Sequence, residues 1–307
     1  MGVEHSMSVT PYRGRFAPTP SGPLHFGSLL AAMASYLDAR SHQGQWLLRI
    51  EDVDPPRVLP GAADGQIRTL SAYGFEWDEA IIWQRQRQEA YRAALDELQR
   101  QGQVYACTCS RKTLAQRARM GVDGWVYPGT CRTGALYKTV KEPAAWRLRV
   151  PDDRVVFDDA WQGRVACDVG MECGDFVLRR ADQVFTYQLA VVVDDAAQGI
   201  THVVRGADLL PSTPRQIVLQ AALGLSRPRY MHVPVALDGD GCKLSKQTHA
   251  TPLSALEPLA ALRQAADFLG LELVAVDSVA EFWQAALLAW PRARRQPIRG
   301  KRSPWAR

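Results

Sequence analysis

Within about forty residues the chain runs through Arg15-Phe16-Ala17, a turn Pro18-Thr19-Pro20-Ser21-Gly22-Pro23, a stretch from Leu24 to Arg40, and an apolar run from Trp46 to Ile50. Leu29, Leu30, Met33 and Leu37 recur at the three-and-four spacing of a helix face, so that stretch reads as a helix. The flanking runs read as strands, the second ending in the acidic turn Glu51-Asp52-Val53-Asp54-Pro55-Pro56. Strand, helix, strand over so short a span is a βαβ unit, which requires a parallel sheet and helices to cover it. An α/β fold is therefore expected. The composition agrees: 307 residues with 47% hydrophobic and 22% charged residues exclude a disordered or collagen-like chain. No apolar run approaches the roughly 20 residues of a membrane span, and the N-terminus has no apolar leader core. We expect a cytoplasmic protein with no membrane partner, and a monomer.

Further along, Glu89 to Arg100 reads as a second helix, and Gln103 to about Arg149 as an inserted subdomain with little helical period. Leu189 to Val193 and Ile200 to Val204 read as two more apolar strands, followed by a polar turn and a helix from about Thr213 to Leu223. Alanine- and leucine-rich helices run on to about Leu288. The expected units are 10–100 and 186–228 as two halves of one α/β domain, 101–185 as the insert, 229–290 as a loop and helical subdomain, and 291–307 as a tail. The tail holds seven basic residues and no acid, which exceeds the net charge of +5, so the rest of the chain is slightly acidic. Such a run grips phosphates nonspecifically or is simply solvated.

Two segments carry the chemistry. Pro20 to Ser28, with His25 and Gly27, delivers the chain into a helix N-terminus, where backbone N–H groups and the helix dipole favour an anion. Equally, it is a capping turn with an incidental histidine. Asp238 to Gln247 places Lys243 and Lys246 three residues apart on a glycine-containing loop. Two ammonium groups there suit charge building on a leaving pyrophosphate, or are a solvated turn.

Taken in order on an α/β pattern, His25-Phe26-Gly27-Ser28 resembles the HIGH signature, and Lys243-Leu244-Ser245-Lys246-Gln247 the KMSKS signature, of class I aminoacyl-tRNA synthetases. The flanks Arg15 to Gly22, Arg49-Ile50-Glu51-Asp52 and Arg205-Gly206-Ala207-Asp208 through Gln216 resemble the glutamyl branch. Only about 60 residues follow the lysine loop, too few for the anticodon-binding region of glutamyl-tRNA synthetases. In this the chain resembles the shortened glutamyl-Q tRNA(Asp) synthetases. That resemblance implies a Rossmann-like catalytic domain split by a small zinc-binding insert, with a helical C-terminal subdomain. It implies ATP-dependent, tRNA-independent activation of L-glutamate, and transfer to queuosine in the anticodon loop of tRNA(Asp). Glutamate contacts are implied at Arg15, Phe16, Ala17, Pro18, Thr19, Glu51, Tyr187 and Arg205. Catalytic and ATP contacts are implied at His25, Gly27, Lys243 and Lys246, with Mg²⁺ accompanying ATP. The residues suit this: Arg15 and Arg205 are planar forks for carboxylates, and Glu51 ends a buried strand where α/β ligands bind. The departures are Ser28 for the second histidine and Gln247 for the last serine. The alternatives are a truncated glutamyl-tRNA synthetase charging a 3′ end, and an inactive module descended from a synthetase.

Cys107-x-Cys109 and Cys131, with Tyr127 four residues before Cys131, are a zinc site short of one ligand or three unrelated thiols. The resemblance implies one structural Zn²⁺ on Cys107, Cys109, Tyr127 and Cys131. Cys167, Cys173 and Cys242 lack such spacing. Arg111, Lys112, Arg117 and Arg119 are phosphate contacts for RNA or a solvated helix face, and no aromatic stacking motif stands out.

Overall fold

The computed structural model describes residues 11–121, 124–133, 143–236 and 251–293. Lys243, Lys246 and nearly all of the basic tail lie outside the described residues. The βαβ unit is there: β1 (Arg13–Phe16), α1 (Phe26–Ser41) and β2 (Gln45–Ile50), with β1 and β2 parallel and Arg15 beside Leu47. A second crossover, α2 (Ala62–Ala72), leads to β3 (Asp78–Trp83), parallel to β2. Next come α3 (Gln88–Arg100), β4 (Val104–Cys107), α4 (Arg111–Arg117), β5 (Arg119–Gly121), β6 (Gly124–Val126) and β7 (Ala145–Leu148). Then follow β8 (Arg154–Asp159), β9 (Gly163–Asp168), α5 (Val169–Glu172), β10 (Val177–Arg179), α6 (Tyr187–Ala197), β11 (His202–Gly206), α7 (Thr213–Ala222) and β12 (Arg229–Val233). Two helices close the described chain, α8 (Pro258–Phe268) and α9 (Val279–Ala293).

The parallel pair β11–β12 lies against the free edge of β1, where the Thr201 N–H donates to the Arg13 carbonyl at 3.0 Å. The order across the molecule is thus β3, β2, β1, β11, β12, and the crossovers reverse direction between β1 and β11. Beyond β12 the sheet continues into β8 and β9: Tyr230 pairs with Asp159, and β9 runs antiparallel to β8. Residues 154–168 therefore hydrogen-bond to the sheet. The remaining strands between residues 101 and 185 form an antiparallel β10–β7–β4 sheet and a β5–β6 hairpin.

Pleating sorts the side chains of β2. Trp46 and Leu48 join one core with α1, α8 and α9; Leu47 joins the other, with α3, α6 and α7. Both faces are covered, which is why this strand is apolar nearly throughout. Arg49 and Glu51 follow Leu47 on the α6 side, and Arg15 of β1 meets them there. Asp38 of α1 pins α9, accepting from the Trp290 indole at 3.0 Å, and also accepts from the Tyr12 hydroxyl at 2.6 Å. No helix among the described residues is long and apolar enough to cross a membrane.

One expected strand is a helix. Leu189 to Val193 lies inside α6, with Thr186 at its N-cap. A five-residue apolar run has no period of its own, and this one is buried on several sides of a helix whose next two residues are the buried acids Asp194 and Asp195.

Candidate active site

The carboxyl ends of β1, β2 and β11 open on one cleft of about 290 Å³ at the switch between β1 and β11. Crevices at such reversals are where open α/β sheets bind ligands. Arg15, Phe16, Ala17, Pro18, Thr19, His25, Gly27, Glu51, Tyr187 and Arg205 all line it. Every residue expected to contact glutamate or ATP, within the described part of the chain, thus lines this one cleft.

The turn that carries half of them is held by backbone and by a buried amide. Glu51 N–H donates to the Pro18 carbonyl at 3.0 Å, and Gln66 Nε2 donates to the Thr19 and Gly22 carbonyls at 3.1 and 2.7 Å. Gly22, with φ +138°, takes a conformation closed to most L side chains. His25 then caps α1, and its N–H donates to Ser28 Oγ at 3.4 Å. Ser28, where the signature has histidine, acts in that turn and also lines the cleft. The first turn of α1 holds no acid, which leaves the positive helix end open to a phosphate.

Beneath the cleft lies an ion cluster that sequence reading missed. Arg49, fully buried, reaches Asp195 Oδ1 at 2.8 Å and Glu51 Oε1 at 3.2 Å. Arg15 Nε meets the same Asp195 Oδ1 at 3.1 Å. Burial works to raise the Asp195 carboxyl, but Arg15 and Arg49 outweigh it and hold it below the usual range. At Glu51 burial wins over the same two arginines, and its carboxyl is raised. A cationic ammonium arriving beside Glu51 favours its ionised form. The available signal was Asp194-Asp195 itself, two acids following an apolar run, which must find cations when buried.

Arg205 is equally engaged. Its Nε donates to His232 Nε2 at 3.0 Å, its Nη1 to Tyr187 Oη at 3.1 Å, and its Nη2 to Thr213 Oγ1 and Gln216 Oε1, both at 2.8 Å. Burial pushes the Tyr187 phenol up against the pull of Arg205, so its hydroxyl keeps its proton and can donate.

The lysine loop lies outside the described residues, but the chain on either side of it reaches the cleft. Ala236 lines the cleft, Pro252 bridges to His25, and Leu253 N–H donates to the Leu24 carbonyl at 2.9 Å.

The cysteines form a separate cluster in the insert. Cys107, Cys109 and Cys131 place their sulfurs within 4.8 Å of one another, with the Cys109 and Cys131 sulfurs 3.5 Å apart. Tyr127 Oη lies 3.4 Å from Cys107 Sγ and 3.6 Å from Cys109 Sγ. Ligands about 2.3 Å from a tetrahedral centre are about 3.8 Å apart, so four donors at these spacings fit one zinc-sized ion. Burial works to raise the Cys131 thiol, but hydrogen bonds from Tyr127 and from the Thr108 backbone bring it down to about 7. Burial raises the Tyr127 phenol. Among the described residues the buried local core is Tyr105, Cys107 and Tyr127, with Cys109, Leu114 and Cys131 partly buried against it, a small satellite to hold this knuckle.

Comparison with known proteins identifies the family and the fold. Residues 11–282 match the family model "tRNA synthetases class I (E and Q), catalytic domain". The chain belongs to that family, and it is a ligase of the class I aminoacyl-tRNA synthetase type. Among its relatives is the glutamyl-Q tRNA(Asp) synthetase of Burkholderia cenocepacia, 55% identical over 290 residues, 92% of this chain and 96% of that protein. Another, of the same name, comes from Chromobacterium violaceum, 52% identical over 94% of this chain and 96% of that protein. The fold resembles a glutamate tRNA ligase of Elizabethkingia meningosepticum crystallised with its amino acid, with TM-score 0.73 and 24% identity over 90% of this chain. The chain spans 64% of that ligase's length.

Proposed function

We propose that the protein activates L-glutamate with ATP, without tRNA, and transfers it to queuosine in the anticodon loop of tRNA(Asp). The observation that carries this is the convergence of Arg15, Glu51, Tyr187 and Arg205 with the start of α1 in one cleft. The names of relatives above 50% identity support the choice of amino acid and of RNA.

In this reading Glu51 takes the ammonium of glutamate, and the arginine edges with Tyr187 take carboxylate oxygens. An α-carboxylate oxygen attacks the α-phosphorus of ATP, the bond to the bridging oxygen breaks, and pyrophosphate leaves with the electron pair. No residue has to move a proton in that step, so catalysis is positioning and charge neutralisation. His25 and the backbone at the start of α1 hold the phosphates in line, and Lys243 and Lys246 neutralise the departing pyrophosphate. Mg²⁺ accompanying ATP would supply further positive charge there. Radiolabelled glutamate should pass to tRNA(Asp) containing queuosine and not to the same tRNA lacking it. Labelling of a tRNA 3′ end instead would overturn the transfer step.

Zn²⁺ would be held by Cys107, Cys109, Cys131 and the Tyr127 oxygen, cross-linking the knuckle. Metal analysis of Cys109→Ser should show zinc lost while the α/β domain still unfolds cooperatively; full retention of zinc would refute the site.

A further inference from the structure

We propose that Asp159 and His232 are positioning residues that aim Arg205 at the substrate carboxylate. This rests on the glutamate reading of the cleft. His232 of β12 is fully buried, and its Nδ1 lies 2.6 Å from Asp159 Oδ2. Asp159 Oδ1 accepts from the His232 backbone N–H at 3.1 Å and from the Trp161 and Gln162 N–H groups at 3.0 and 2.8 Å. The Gln162 amide in turn donates to the His232 carbonyl at 2.8 Å. That network assigns the ring proton to Nδ1 and leaves Nε2 as an acceptor, because the Arg205 Nε–H and the Thr213 hydroxyl both converge on it at 3.0 Å. Burial and the Arg205 charge depress the imidazole against the pull of Asp159, consistent with a neutral ring.

The consequence falls on the guanidinium. Of its five N–H groups, one goes to His232, two to Thr213 and Gln216, and one to Tyr187. One Nη1 hydrogen remains for a ligand. An arginine fixed on three sides offers that hydrogen and the Tyr187 hydroxyl in one orientation, so less freedom is lost when glutamate binds. Asp159 reaches this site from β8, outside the two halves of the nucleotide-binding sheet, so the segment between them helps shape amino-acid recognition.

The test is glutamate-dependent ATP–pyrophosphate exchange without tRNA. His232→Leu should raise KM for glutamate about 10- to 100-fold, the effect of losing a hydrogen bond to a charged group. The kcat and the KM for ATP should stay within about twofold. His232→Gln, whose side-chain oxygen can take the acceptor position, should recover most of the loss. Asp159→Asn should raise the same KM and add little to His232→Leu, since it acts through that ring. Should His232→Leu not fold, Asp159→Asn still decides the matter. An unchanged glutamate KM in Asp159→Asn, or kcat falling with both KM values, overturns the relay. Absence of exchange with glutamate in the wild type would instead overturn the reading of the cleft.

A different observation carries a second proposal: the β5–β6 hairpin stacks on unpaired bases of an RNA loop. Met120 and Trp125 are directly cross-strand, 62% and 52% exposed, while the neighbouring Val126 points inward and is buried. Met171, also exposed, follows on α5, where the Glu172 carbonyl closes on Gly121. Lys112, Arg117 and Arg119 are exposed nearby, and residues 111–133 hold five basic side chains against one acid. An aromatic and apolar platform edged by cations suits single-stranded nucleic acid: π-faces for the bases, charge for the phosphates. Trp125→Ala should weaken binding of an RNA stem-loop with an unpaired adenine loop about 5- to 150-fold, and Trp125→Phe less. A blunt RNA duplex should bind both variants as it binds wild type. Equal losses on loop and duplex, or a dimer of wild type abolished by Trp125→Ala, would overturn the stacking role. Wild type that binds no RNA would overturn the tRNA reading itself.

Discussion

Asp195→Asn should lower the unfolding free energy by about 3–5 kcal/mol, because it leaves two buried guanidinium groups without their shared counter-charge. Arg49 has no exposed surface to escape to, and Arg15 is almost as enclosed. Urea unfolding measures the loss, and a change below about 1 kcal/mol would show that water or Glu51 compensates. Adding Arg49→Met to Asp195→Asn should recover part of it by removing the orphaned charge. Acid sensitivity supplies a second readout. The Asp195 carboxyl is depressed in the folded protein, so the unfolded chain takes up its proton first as pH falls. Its contribution is therefore complete above the ordinary aspartate value of about 3.9 and is lost as pH drops through the folded value. Glu51 is raised and runs the other way, gaining stability as pH falls toward about 4.3. The asparagine variant should lose the Asp195 trend.

Lys246→Ala should slow glutamyl-adenylate formation roughly 30- to 1000-fold, about 2–4 kcal/mol of transition-state stabilisation, as when one preorganised donor is removed. Pro252, six positions further along the chain, is bridged to His25. Because the charge Lys246 answers appears as pyrophosphate leaves, kcat should fall far more than KM for ATP changes. Single-turnover formation of the adenylate checks this, and an unaltered rate would remove Lys246 from the mechanism.

The first half of the sheet was legible because each choice there is local: Leu29, Leu30, Met33 and Leu37 on one helix face, and an apolar β2 between two turns. The cleft residues were legible through their spelling, since Arg15, His25, Glu51 and Arg205 sit in motifs that resemble a known family. Their partners were not. Asp195 comes to Arg15 across 180 residues, and Asp159 to His232 across 73. No periodicity reports such a meeting. β12 was overlooked because Arg229 to Val233 follows a proline and alternates poorly, being buried on both sides. Helix α6 was misread as a strand because three consecutive valines favour extended chain locally, while the acids after them bind α3 and β2 only in the helix.

The end of the β4–β7 ladder has a practical corollary. Cys107 and Ala145 are cross-strand neighbours, and between them the chain carries Cys109, Tyr127, Cys131 and the β5–β6 hairpin, which are tied back to the insert through Arg132, bonded to Asp175 and to the Val150 carbonyl. A protein engineer who replaced that segment with a tight turn would keep the Cys107–Ala145 pair and would have to replace the Arg132 contacts. The ribbon that follows, 154–168, is not dispensable in the same way, since it delivers the carboxylate behind His232. A minimised adenylating scaffold would shed the first and retain the second.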